Sequence, residues 1–87
     1  MYALELDPMW EDYFKALPEV IKIRVLKKID NLLYEPHKRH LTGNAKVFVD
    51  EVGQYRLTYF VFENTKTVRF YFIGKHKEYE KWYKSFF

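Results

Sequence analysis

Tyr55-Arg56-Leu57-Thr58-Tyr59-Phe60-Val61-Phe62-Glu63-Asn64-Thr65-Lys66-Thr67-Val68-Arg69-Phe70-Tyr71-Phe72-Ile73 is the stretch that decides the fold. Two runs of β-branched and aromatic residues with period-two alternation flank a polar tetrapeptide, the pattern of two antiparallel strands joined by a hairpin turn. Upstream, the same pattern begins at Ala45, with Val47-Phe48-Val49 as a further strand that reaches Tyr55 through a turn near Gly53. Leu57, Tyr59 and Val61 point one way, whereas Thr58, Phe60 and Phe62 point the other way beside Arg56. Both faces of this sheet therefore need a cover.

The N-terminal third supplies one cover. Tyr2 to Leu6 alternates apolar with small or charged residues and reads as a short strand closed by Asp7-Pro8. Asp7 as N-cap with Pro8 in the first turn predicts a helix start. Trp10, Tyr13, Phe14 and Leu17 then fall at i, i+3, i+4 and i+7, a single apolar stripe. Pro18 opens a second helix with Ile21, Val25, Ile29, Leu32 and Leu33 on its buried face, and with Lys22, Lys27, Lys28 and Asp30 facing water. Glu35 to Asn44 has no periodicity and reads as a loop. Tyr79 to Phe87 forms a short aromatic helix or tail. The fold class is α+β: an N-terminal strand, a two-helix hairpin on a mainly antiparallel four-stranded sheet, and a short C-terminal helix. The 87 residues are expected to form one domain.

Aromatic content of 21% and apolar content of 48% supply a dense core and argue against disorder. The absence of cysteine excludes a disulfide framework, a thiolate zinc site and a cysteine nucleophile. No signal-peptide pattern and no apolar run of about 20 residues occurs, so a soluble, cytoplasmic protein without a membrane partner is expected. His37 and His40 lack a third ligand at suitable spacing, so neither a metal nor any other cofactor is expected. The net charge of +3 is modest but uneven, because Glu35 to Phe87 holds ten basic and six acidic residues. That half suits a nucleic acid as well as a merely solvated surface.

Two places carry chemistry. Arg56 stands mid-strand among apolar residues, where an arginine is either paired with an acid, Asp50 or Glu51, or kept for a phosphate. After the last strand, Ile73-Gly74-Lys75-His76-Lys77-Glu78-Tyr79 delivers Lys, His, Lys and Tyr behind a glycine turn. Two flanking ammonium groups disfavour a third positive charge, leaving an imidazole able to take up a proton. The lysines and Arg56 would hold a phosphate, and the tyrosine would orient or stack a base.

The element order, together with Gly53-Gln54-Tyr55-Arg56-Leu57 and Gly74-Lys75-His76-Lys77-Glu78-Tyr79, resembles the RelE/HigB toxins of the RelE/ParE superfamily. In that family a Gly-x-Tyr-Arg-Leu segment carries the active-site arginine. A Gly-x-His-x-x-Tyr or Gly-x-Arg segment closes the site. The resemblance implies a type II toxin held off by an antitoxin. Its activity would be a metal-independent endoribonuclease that cleaves mRNA, usually on the ribosome, by attack of a 2′-hydroxyl on the adjacent phosphate. It assigns Arg56 to the scissile phosphate, His76 to acid–base work, Tyr79 to alignment or stacking, and Lys75 and Lys77 to electrostatic support. Some members place two basic residues on the first hairpin strand. Here that strand reads Lys46, Val47 to Val49, Asp50 and Glu51, which leaves Glu51 as the alternative general base and Lys46, His40 and Arg39 as a phosphate track. Two other readings stay open: a RelE-fold binding module without cleavage, and a ParE-like gyrase inhibitor. The aromatic face of Phe60, Phe62, Trp82, Tyr83, Phe86 and Phe87 would receive an antitoxin segment, a second copy, or the chain's own tail.

Overall fold

The computed structural model describes residues 1–36, 40–41 and 44–86, with the backbone alone for 40–41, 44–46 and 86. The elements in chain order are β1 (Ala3–Leu6), α1 (Trp10–Lys15), α2 (Glu19–Tyr34), β2 (His40–Leu41), β3 (Asn44–Val52), β4 (Tyr55–Phe62), β5 (Thr67–Lys75) and α3 (His76–Phe86). The sheet order is β1-β5-β4-β3-β2. β1 runs parallel to β5, and all other neighbours are antiparallel. The α+β architecture expected from the sequence is present. β2 is an added edge strand of two residues within the stretch read as a loop, too short to show a period.

Gly53 adopts φ +60° in the two-residue loop Gly53-Gln54 between β3 and β4, the conformation such a loop demands of its first residue. This tight turn sets the register, placing Val52 opposite Tyr55 and Glu51 opposite Arg56. Helix α1 starts at Trp10, later than Asp7-Pro8 suggested, because Asp7 still belongs to the sheet. Its N–H donates to the Phe70 carbonyl at 2.9 Å, and its Oδ1 lies 3.5 Å from Arg69 Nη2. Asp7 does cap locally, accepting the Met9 N–H at 3.0 Å.

One face of the sheet, formed by Phe48, Leu57, Tyr59, Val68, Phe70 and Ile73, packs against Trp10 and Leu17 and the α2 stripe Val25, Ile29, Leu32 and Leu33. The other face carries Val47, Val49 and Phe72 and is covered by Tyr79 and Trp82 of α3. The tail thus supplies the second cover: Trp82 is buried and Tyr83 half-buried, leaving Phe62 as an exposed aromatic. The side chains of Phe86 and Phe87 lie outside the described residues. Opposite Thr58 and Tyr59 the register skips from Phe72 to Phe70, so Tyr71 is an extra residue in β5. This bulge turns both Tyr71 and Phe72 onto the α3 face, with Tyr71 4.6 Å from the Phe60 ring. No helix among the described residues is long and apolar enough to cross a membrane.

Two adjacent buried hydroxyls should respond to mutation with opposite signs. Tyr59 is fully buried and its hydroxyl donates to the Pro36 carbonyl at 2.7 Å. Thr58 is equally buried, and its Oγ1 has no partner among the described residues. Tyr59→Phe is expected to cost about 1–2 kcal/mol, while Thr58→Val, which keeps the shape and removes the unsatisfied hydroxyl, should add about 1 kcal/mol. Urea unfolding of the two variants reads both signs, and a destabilised Thr58→Val would contradict this accounting.

Candidate active site

The site is built on a row across three strands. Glu51 of β3, Arg56 of β4 and Gly74 of β5 are direct cross-strand neighbours. Alternation puts Arg56 on the α3 face, where its Cζ lies 5.3 Å from the centroid of the Tyr79 ring. Its Nη2 lies 3.8 Å from Glu51 Oε2. The sequence reading offered Asp50 or Glu51 as the acid for Arg56, and the register selects Glu51. Asp50 faces the opposite side and lies 3.7 Å from Lys28 of α2. The Arg56 side chain remains 33% accessible, so one side of the guanidinium lies on an aromatic ring while another meets solvent.

Gly74 leaves no room for a side chain unless the Phe72 ring shifts. A Cβ there would stand 2.6 Å from Phe72 Cζ, because the Phe72 ring folds back over the glycine. The next residue ends the strand and starts α3: the Lys75 backbone N–H donates to Glu78 Oε1 at 3.2 Å, half of a capping box. The helix start therefore carries Lys75, His76 and Lys77 at the positive end of its dipole, an arrangement that attracts anions. A depression of about 400 Å³ opens here, lined by Gln54, Lys75, His76, Lys77 and Glu78. His76 Nε2 lies 2.7 Å from Glu80 Oε1, one helical turn on. The carboxylate, not a lysine, is thus the charge held closest to the ring. Glu80 was missed in the sequence, although its i,i+4 spacing from His76 becomes visible once α3 is known to begin at His76.

Tyr79 is buried, with its ring centroid 6.5 Å from that of His76. Burial pushes its phenol above the usual value of 10.0, with Arg56 pulling the other way and Tyr83 adding to the rise. Tyr13 and Tyr71 are raised chiefly by burial as well. Such groups hold their protons more tightly folded than unfolded, so their contribution is complete below the unfolded value and is lost as pH rises past it. The thermal midpoint should stay level through neutral pH and fall above about pH 10, less steeply in Tyr79→Phe. A midpoint insensitive to alkali would contradict the burial of these phenols.

The structure thus gathers Arg56, Glu51 and Tyr79, with His76, Lys75 and Lys77 at the adjoining helix start. Lys46 lies in β3 five residues before Glu51, and His40 lies in β2 at the far edge of the sheet. The side chains of both fall outside the described residues, as does all of Arg39 together with His37 and Lys38.

No protein-family model and no curated protein matches the chain. Solved structures do. The isolated RelE toxin of E. coli is 21% identical, the match covers the whole of both chains, and the TM-score is 0.80. The RelBE2 toxin–antitoxin complex of Mycobacterium tuberculosis matches at 23% identity over 86% of this chain and 98% of that one, with TM-score 0.74. The RelE–RelB complex of Pyrococcus horikoshii matches at 23% identity over 85% and 93%, with TM-score 0.71. These neighbours establish that this chain has the fold seen in the RelE toxins.

Proposed function

We propose, with the RelE fold as premise, that this chain is the toxin of a type II toxin–antitoxin pair and a metal-independent endoribonuclease acting on mRNA in the cytoplasm, on the ribosome. The observation that carries the reading is the row Glu51–Arg56–Gly74, with Tyr79 beneath the arginine and the basic helix start beside it. Arg56 binds the scissile phosphate and stabilises the charge that grows on its oxygens. The 2′-oxygen of the preceding ribose bonds to phosphorus and the bond to the 5′-oxygen breaks. Glu51 and His76 form the acid–base pair, one taking the 2′-hydroxyl proton and the other supplying a proton to the departing oxygen. Glu80 positions the imidazole, Lys75 and Lys77 draw in the phosphate chain, and Lys46, His40 and Arg39 are assigned to the same chain by their charge.

The antitoxin is the second partner. The aromatic surface beneath α3 is largely taken up by the tail, so an antitoxin has other apolar ground to use. Val20, Ile23 and Leu26 of α2 are exposed by 55–68%, and Leu4 and Leu6 of β1 by nearly half. These residues form the docking surface in this reading. Inducing the wild type in bacterial cells and mapping mRNA 5′ ends tests the function. Codon-phased cuts are expected, absent from His76→Ala and Arg56→Ala. Intact messages with wild type would favour the second reading, a RelE-fold binding module. The Arg56–Glu51 pair supports that alternative, because it engages the arginine with a carboxylate.

A further inference from the structure

A second concavity lies on the other side of the Lys75 turn. It is a cleft of about 760 Å³ between the α1–α2 junction, the end of β5 and α3. Its walls are Tyr13, Leu17, Tyr55, Phe72, Ile73 and Trp82. Three of these rings pack together: Phe72 meets Tyr13 edge to face at 4.9 Å and stacks on Trp82 at 5.6 Å, centroid to centroid. Four charged residues border it, and they are not equivalent. Asp12 lies 3.5 Å from Lys15, and Glu78 accepts the Lys75 N–H. Lys75 leans over the Tyr55 ring at 6.0 Å, and neither it nor Lys81 has an acidic partner among the described residues. The cleft therefore pairs aromatic walls with two ammonium groups that have no acidic partner among the described residues, a combination that fits a flat ring carrying a negative charge nearby.

Its position decides which such ligand. Gly74 lines the cleft and is the cross-strand neighbour of Arg56, while Lys75 and Glu78 border both the cleft and the depression around His76. An RNA strand leaving the phosphate at Arg56 passes the His76 turn and arrives here. We propose that the cleft receives one unstacked base of single-stranded RNA next to the cut, with the base against Tyr13, Tyr55 and the accessible edge of Trp82 and its phosphate on Lys75 and Lys81. The proposal rests on the ribonuclease reading for the path of the strand, but binding to the cleft can be measured without cleavage.

The probe is a six-nucleotide single-stranded RNA carrying 2′-O-methyl groups throughout, which removes the attacking hydroxyl. Titration is followed by tryptophan fluorescence, with Trp10→Phe as background so that Trp82 alone reports. Saturable quenching is expected. Two variants should each weaken it about tenfold: Ala16→Phe, which places a ring at the cleft's rim away from Arg56 and His76, and Lys81→Glu, a surface change that leaves the core intact. Quenching that is absent, or equally tight in both variants, overturns the cleft assignment even where wild-type protein cleaves RNA. A mononucleotide that binds as tightly as the hexamer also overturns it, reassigning the cleft to a free nucleotide. Conversely, cleft-dependent binding by a protein that never cuts unmodified RNA upholds the cleft and rejects the ribonuclease.

Discussion

Arg56→Ala is expected to lower RNA cleavage by about 10²–10³-fold, the loss seen when one preorganised donor to a developing oxyanion is removed. Its folding should scarcely change. The side chain is one-third accessible, its Glu51 partner is more exposed still, and the pair spans 3.8 Å. Exposed pairs of this kind contribute roughly 0–1 kcal/mol, and the Glu51 carboxylate is in contact with water with or without the arginine. Activity and stability therefore separate at this residue. Arg56→Lys should recover little, because an ammonium lacks the planar fork that grips two phosphate oxygens while its central carbon sits 5.3 Å from the centre of the Tyr79 ring. Glu51→Gln separates the two roles given to that carboxylate: loss of kcat with KM unchanged marks the base, and a lower KM alone marks a competitor of the phosphate for Arg56. Single-turnover cleavage alongside urea unfolding reads all three variants. An Arg56→Ala protein that cleaves within a few-fold of wild type would remove the arginine from the chemistry.

Phe72→Ala is expected to cost about 3–5 kcal/mol, the upper range for deleting a core side chain. The residue is 2% exposed and holds the second sheet face together, meeting Tyr13 of α1, and Tyr79 and Trp82 of α3. Against a typical domain stability of about 5–15 kcal/mol, that loss takes a large share. Because α3 carries His76 and Tyr79, the site should loosen before the sheet does. Gly74→Ala approaches the same ring from below, since its methyl group would meet Phe72 at 2.6 Å, and should cost about 1–3 kcal/mol by overpacking. Hydrogen exchange should show α3 losing protection first in both variants. A Phe72→Ala protein as stable as wild type would mean that α3 is not anchored through this ring.

Much of this arrangement was legible in the sequence because its signals are periodic. Alternation in 55–62 and 67–73 gave the strands, and the i, i+3, i+4, i+7 spacing from Trp10 gave the helix stripe. What stayed hidden depends on register or on length. The pairing of Arg56 with Glu51 follows from the two-residue loop at Gly53-Gln54, whereas a turn placed only near Gly53 left Asp50 and Glu51 equivalent. The bulge at Tyr71 breaks alternation without altering composition, so Tyr71 and Phe72 share a face that strict period two would divide. β2, with two residues, has no period to read. The tail's aromatics suited self-coverage or a partner equally well, and only the packing of Tyr79 and Trp82 against Val47, Val49 and Phe72 decides between them. Arg56, His76 and Tyr79 stood out because cations and a tyrosine behind a glycine are conspicuous. Glu80 did not, since its role depends on where α3 begins.

The central claim concerns which bond forms at the phosphate, and the ends of the products report it. Purified protein would be mixed with mRNA-programmed ribosomes in magnesium buffer, and the fragment ends analysed by mass spectrometry. The account predicts a 2′,3′-cyclic phosphate on the upstream fragment and a 5′-hydroxyl on the downstream one, lost when the nucleotide at the cut carries a 2′-deoxy sugar. Fragments ending in a 3′-hydroxyl and a 5′-phosphate, cleavage that persists at a 2′-deoxy sugar, or RNA left intact would contradict it.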